Sequence, residues 1–150
     1  MATDVLRAVL DTNVIVAAHL SQSPRSPTLE LLNRWRRGEF VLLYSRLIRQ
    51  EYARKLNALD IEQERVADFL NDILYLGMRV PLRSMQIEAA VMADPDDDVF
   101  VACAIVGKAT HLVTYDPHIR DLGREYRSVQ IVDALHFLYL VRGDKPPLSS

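Results

Sequence analysis

Short apolar runs alternate with stretches of helical period along the chain. Val5–Leu10 (VLRAVL) reads as a buried strand ending at Asp11. Asn13–Leu20 is a weak helix or turn, and Ser21–Pro27 (SQSPRSP) is a surface loop with two prolines. Thr28–Arg37 places Leu29, Leu31, Leu32 and Trp35 at helical spacing and is closed by Gly38. Phe40–Tyr44 (FVLLY) reads as a second buried strand, and Ser45 as the N-cap of a helix running to about Leu59. Glu62–Gly77 aligns Val66, Phe69, Leu70, Ile73 and Leu74 on one helical face. Met78–Leu82 is a short strand. Asp94–Asp98 (DPDDD) is an acidic turn opening a helix from about Val99 to Val106. His111–Thr114 and Val129–Val132 are further strands, and an amphipathic helix follows from Asp133 to Val141.

Strands alternating with helices predict an α/β fold: a mostly parallel central sheet with helices on both faces. The length of 150 residues fits one domain, with a core over about residues 5–141 and a frayed tail at 143–150. In such sheets ligands gather beyond the carboxyl ends of the strands, where strand order reverses.

Composition narrows this only modestly. A 49% hydrophobic and 25% charged chain is an ordinary globular one that can bury a core without staples. A single cysteine, Cys103, excludes an intrachain disulfide and suits a reducing, cytoplasmic setting. No apolar run is long enough for a transmembrane helix, and the N-terminal residues do not resemble a secretory signal. The net charge of −2 does not advertise a nucleic-acid binder. Yet residues 25–55 carry eight basic side chains, mostly arginine, against three glutamates. Arg34, Arg36, Arg37, Arg46 and Arg49 are therefore candidates for phosphate contacts, or simply solvated helix faces.

The acids carry the chemistry. Asp11 ends the first strand and Asp116 closely follows the HLVT strand, so both belong at one edge of the sheet. Asp98 belongs to the start of a helix, where the macrodipole favours an anion. Glu51 falls at the edge of a helical face on which Leu47, Ile48 and Tyr52 are expected to point into the core, and a carboxylate there needs a metal ion or an arginine as partner. Converging carboxylates repel unless a hard cation joins them, and oxygen ligands point to Mg²⁺ or Mn²⁺. The four histidines show no ligand spacing, which disfavours zinc. Each acid also has a plain structural reading. Asp11 caps the next helix, DPDDD forms an N-cap turn, Asp116 opens a turn at Pro117, and Glu51 pairs with Arg54 or Lys55.

Four short motifs, in order, resemble those of the PIN domain family: LDTNV (10–14), SRLIRQE (45–51), DVFVACA (98–104) and LVTYD (112–116). The resemblance spans about residues 5–135. It implies a three-layer α/β/α sandwich and metal-dependent ribonuclease activity. Asp11, Glu51, Asp98 and Asp116 take the family's acidic positions, and Asn13 and Thr114 its supporting polar ones. Asp94, Asp96 or Asp97 could share the third role; Asp98 is preferred because the helix follows it directly and its distance from Asp116 is family-like. Many small members are toxins of toxin–antitoxin pairs, the VapC type being best known. The resemblance therefore implies RNA as substrate, a homodimer and a cognate antitoxin. The non-enzymatic alternative is a PIN-like RNA-binding or protein-interaction module with weak or lost nuclease activity. A haloacid-dehalogenase-type phosphatase expects a second aspartate where Asn13 stands. A phosphate-receiver domain expects a paired acid and a late strand-end lysine that are not evident. A nicotinamide-binding domain lacks its glycine-rich turn here.

Overall fold

The computed structural model describes residues 5–88 and 95–144. Along the chain it runs β1 (Arg7–Leu10), α1 (Thr12–Leu20), α2 (Pro27–Arg36), β2 (Val41–Tyr44), α3 (Arg46–Asn57), α4 (Gln63–Leu76), β3 (Met78–Arg79), α5 (Ser84–Glu88) and α6 (Pro95–Val106). It continues through β4 (His111–Val113), α7 (Pro117–Arg120), β5 (Glu125–Tyr126), β6 (Val129–Val132) and α8 (Ala134–Arg142).

The strands form a six-stranded sheet in the order β3-β2-β1-β4-β6-β5. All neighbouring pairs are parallel except β5 with β6. The chain leaves β1 toward β2 on one side and later returns to lay β4 on the other. The boundary between β1 and β4 is therefore the switch point of the sheet. Its register sets Leu10 opposite Val113, so Asp11 and Thr114 emerge as neighbours one residue beyond the paired strands.

Helices cover both faces. A methyl group on Gly107, just past α6, would lie 3.1 Å from Leu43; one on Gly77, just past α4, would lie 2.9 Å from the Tyr44 ring. Successive strand residues point to opposite faces, so α6 and the end of α4 lie on opposite sides of β2. Phe69 of α4 anchors one layer, with its ring against His19, Trp35 and Tyr52. Tyr52 also meets Phe100 of α6, and Phe137 of α8 packs edge-on against Phe40 and at a tilt against His111. The expected three-layer arrangement with a mostly parallel sheet is what forms.

The differences from expectation are local. Helix α6 begins at Pro95, whose fixed φ and missing N–H suit a first helical position. Asp98 is thus its fourth residue, at the end of the first turn as expected, and only the start of the helix lies earlier than about Val99. Leu47 is 40% exposed, not a core residue. Elements α5, α7 and β5 are too short to show a period. The Asp94 expectation and residues 145–150 of the tail lie outside the described residues. No helix among the described residues is long and apolar enough to cross a membrane.

His19 and His111 are buried, and burial lowers both imidazoles below the usual 6.5. The folded chain keeps them neutral, whereas the unfolded chain takes up protons below 6.5. Their contribution is present above that pH and is lost as pH falls toward the folded values. Unfolding free energy should therefore decline between pH 7 and pH 5.5 in urea titrations. His19→Gln should flatten that decline, and an unchanged slope would rule His19 out as a source.

Candidate active site

The site begins with two strand ends. The Asp11 N–H donates to the Val113 carbonyl at 2.9 Å, which continues the β1–β4 ladder one step. The Asp11 side chain is buried and accepts two bonds: Oδ1 from the Thr12 N–H at 2.8 Å and Oδ2 from the Thr114 hydroxyl at 2.6 Å. Asp11 is also the N-cap of α1. The plain capping role and the strand-end placement coexist in one residue.

Thr114 is completely buried and joins the two strand ends. Its hydroxyl donates to Asp11 and accepts from the Asp116 N–H at 2.9 Å. Asp116 is half-buried, caps α7, and accepts from the His118 N–H at 2.8 Å. A single hydroxyl thus fixes the relative placement of both aspartates.

Burial is the main reason that the Asp11 carboxyl lies above its usual pKa of 3.8. The bonds from Thr114 and Thr12 oppose this, and the negative charges of Asp116 and Glu51 push it further up. Three acids therefore share one electrostatic neighbourhood. Glu51 is half-buried on α3, and both its oxygens are held by Arg54, at 2.8 and 3.0 Å. This is the arginine partner that its sequence position called for. Asp98 is half-buried on α6, a helix that packs on β1 and β4. The side chains of Asp96 and Asp97 lie outside the described residues.

The four acids do not stand as a closed ligand cage. Among the described residues, no group of three or more His, Cys, Asp or Glu is close enough to hold a metal ion. Asp11 accepts from Thr12 and Thr114, Glu51 from Arg54, and Asp116 from the His118 amide. The donor chemistry nevertheless suits a hard cation. Each Asp11 side-chain oxygen accepts one hydrogen bond among the described residues, leaving lone-pair capacity. The Thr12 hydroxyl, beside Asp11, is buried with no partner among the described residues, so a coordinated water could satisfy it. Burial pushes the Cys103 thiol up to about 12, so it stays protonated and is no rival ligand.

Two contributors were missed by sequence reasoning. One is Thr12. The other is Tyr52, whose hydroxyl donates to the Leu10 carbonyl directly behind Asp11. A tyrosine on an otherwise buried helical face must find a partner, and that signal pointed to Tyr52. Asn13, expected to support the acids, is exposed in the first turn of α1.

The arginine block divides. Arg34 pairs with Glu30 and Glu39, Arg37 with Glu39, and Arg36 with Asp72. Glu30 is held down to about 2, chiefly by Arg142 and then by Arg34. The Arg49 side chain donates to the Leu70 carbonyl. Arg46 is exposed and has no partner among the described residues.

Residues 7–118 match the sequence model of the PIN domain, three quarters of the chain. The chain belongs to the PIN domain family. A PIN-like backbone also occurs in the crystal structure of VapBC2 from Rickettsia felis bound to a DNA fragment from their promoter. That likeness has a TM-score of 0.57 at 13% identity and covers 84% of this chain and 97% of that one. At this identity it speaks to the fold alone. No curated protein sequence matches the chain. In PIN terms, the Asp11–Thr114–Asp116 arrangement occupies the strand ends at the switch point of the sheet.

Thr114→Val keeps the shape of residue 114 but removes the hydroxyl. Loss of a bond to a buried charged group should cost about 1.5–3 kcal/mol of stability at pH 7. The cost should shrink toward pH 4, as Asp11 becomes protonated. Urea unfolding at both pH values measures it; equal losses would show that the hydroxyl does not act through the carboxylate.

Proposed function

We propose that this PIN domain is a metal-dependent ribonuclease, acting as the toxin of a toxin–antitoxin pair. The observation that supports it best is the buried Asp11 carboxyl, fixed by Thr114 beside Asp116 and raised by the charges of Asp116 and Glu51. Like charges gathered at a switch point favour a divalent cation and a phosphodiester substrate.

On this reading Asp11, Asp98 and Asp116 hold Mg²⁺ or Mn²⁺. Glu51 either joins them or takes up the proton of the attacking water. When bound, the ion activates a water and offsets charge developing on the scissile phosphate. Thr114 orients Asp11, and Arg54 sets the direction of the Glu51 carboxylate. Attack by water leaves a 5′-phosphate and a 3′-hydroxyl. Asn13 would act on a carboxylate or on water. Arg34, Arg37 and Arg49 would reach RNA only by exchanging their present partners.

The toxin role, a cognate antitoxin, a homodimer and cytoplasmic action all belong to this proposal. Their support is membership of the PIN family and the fold shared with a protein described as VapBC2. A second reading has one observation in its favour. Both Glu51 carboxylate oxygens are bound by Arg54. That suits a PIN-like RNA-binding or protein-interaction module with weak or absent nuclease activity.

Cleavage of a defined single-stranded RNA with Mn²⁺ separates the two. Asp11→Asn and Asp98→Asn should each lower the rate more than about 100-fold, beyond the 10–100-fold typical of residues that only support a ligand. Thermal unfolding would confirm that both variants fold. Wild-type protein that cleaves nothing and binds no Mn²⁺ in calorimetry would favour the second reading. Unchanged cleavage by either folded variant would remove that residue from the site.

A further inference from the structure

We propose that a cleft formed by Arg46 and Arg79 binds backbone phosphates of single-stranded RNA next to the one that is cut. The inference rests on the nuclease reading but concerns a separate part of the surface.

The fold brings the two arginines together. Strands β2 and β3 are parallel, with Tyr44 opposite Arg79. Ser45 then ends β2 and caps α3, so Arg46 opens that helix. The resulting cleft, of about 240 Å³, is lined by Ser45, Arg46, Leu47, Arg79 and Ser84 among others, and no described lining residue is acidic. It lies on the same edge of the sheet as Asp11, because β3, β2, β1 and β4 all run parallel.

The charge in the cleft is unbalanced. Both arginines are exposed, and neither has a hydrogen-bond or ion-pair partner among the described residues. Arg34, Arg36, Arg37, Arg54 and Arg142, by contrast, are all paired. Arg46 also occupies the first position of α3, whose first turn holds no acid. A cation there opposes the positive end of the helix dipole. Two guanidinium groups with no carboxylate between them suit phosphate oxygens.

A strand fits better than a small anion because the cleft is not isolated. A second cleft, of about 260 Å³, is lined by Leu47, Gln50, Glu51, Arg54, Val99 and Phe100. Leu47 lines both, so the surface runs continuously from Glu51 to Arg79. Arg79 stands two strands from Asp11, about 10 Å at ordinary sheet spacing. A polyanion along the edge can therefore place one phosphate at the acids and its neighbours between the arginines. Leu47, exposed between them, offers an apolar surface for a base or ribose. Such contacts hold the backbone and carry no sequence information.

The test is binding of a fluorescein-labelled single-stranded RNA, read by anisotropy across a salt series in EDTA so that nothing is cut. Arg46→Ala with Arg79→Ala should weaken binding at least about tenfold at low salt. Loss of two phosphate contacts should reduce the slope of log affinity against log salt by about 1.4. Lysine at both positions should restore much of the slope, and Arg25→Ala, in an exposed loop, should change neither. All three variants should keep the wild-type melting temperature. An unchanged slope in the double variant, an equal loss in Arg25→Ala, or wild-type protein that does not bind RNA would each overturn the proposal. The nuclease reading fails separately. A reduced slope without Mn²⁺-dependent cleavage keeps the cleft and removes the enzyme; Asp11-dependent cleavage with an unchanged slope does the reverse.

Discussion

The hydroxyl of Thr114 reaches across from β4 to the carboxylate of Asp11 at the end of β1, and the site depends on that bond. It forms because the β1–β4 register brings these two residues out of the sheet side by side. The sheet must be parallel there for both strand ends to share an edge. Strand order must also reverse there for the edge to open into a crevice. The packing of Tyr52 against Phe69 and Phe100, and its bond to the Leu10 carbonyl, hold that strand end from behind.

Electrostatics then divides the molecule. Around Asp11, acids accumulate and burial raises the carboxyl pKa, a combination that opposes ionisation and favours a cation. Across α2 the opposite holds. Glu30, Glu39 and Asp72 take up Arg34, Arg36, Arg37 and Arg142, joining α2 to α8 and α4. On the same edge of the sheet, Arg46 and Arg79 have no carboxylate partner among the described residues.

The fold was legible where burial imposes a simple pattern. FVLLY and HLVT could hardly be other than strands, and Ser45 does cap α3 through its bond from the Ile48 N–H. The placement of Asp11, Thr114 and Asp116 at one sheet edge followed from those strands. Less legible was whatever depends on partners distant in sequence. The Arg142 bond to Glu30 spans 112 residues, so an arginine-rich block looked freer than it is. Leu47 has the spacing of a core residue but falls on the side of α3 left open as the surface between two clefts. The two-residue β5 is defined only by its pairing with β6, and Arg79 gains its meaning only from lying opposite Tyr44. Asp98 was legible as a residue of the first helical turn, while the start of α6 at Pro95 was not.

In the proposed reading, the strand ends of β1 and β4 form a divalent-cation site. Anomalous diffraction from crystals soaked in Mn²⁺ tests it most directly. The expected result is a peak about 2.0–2.2 Å from an Asp11 carboxylate oxygen, with Asp98 and Asp116 drawn toward it. A saturating soak that leaves this end of the sheet without a peak would contradict it. So would a peak held by other residues, with Asp11 still bound only by Thr12 and Thr114.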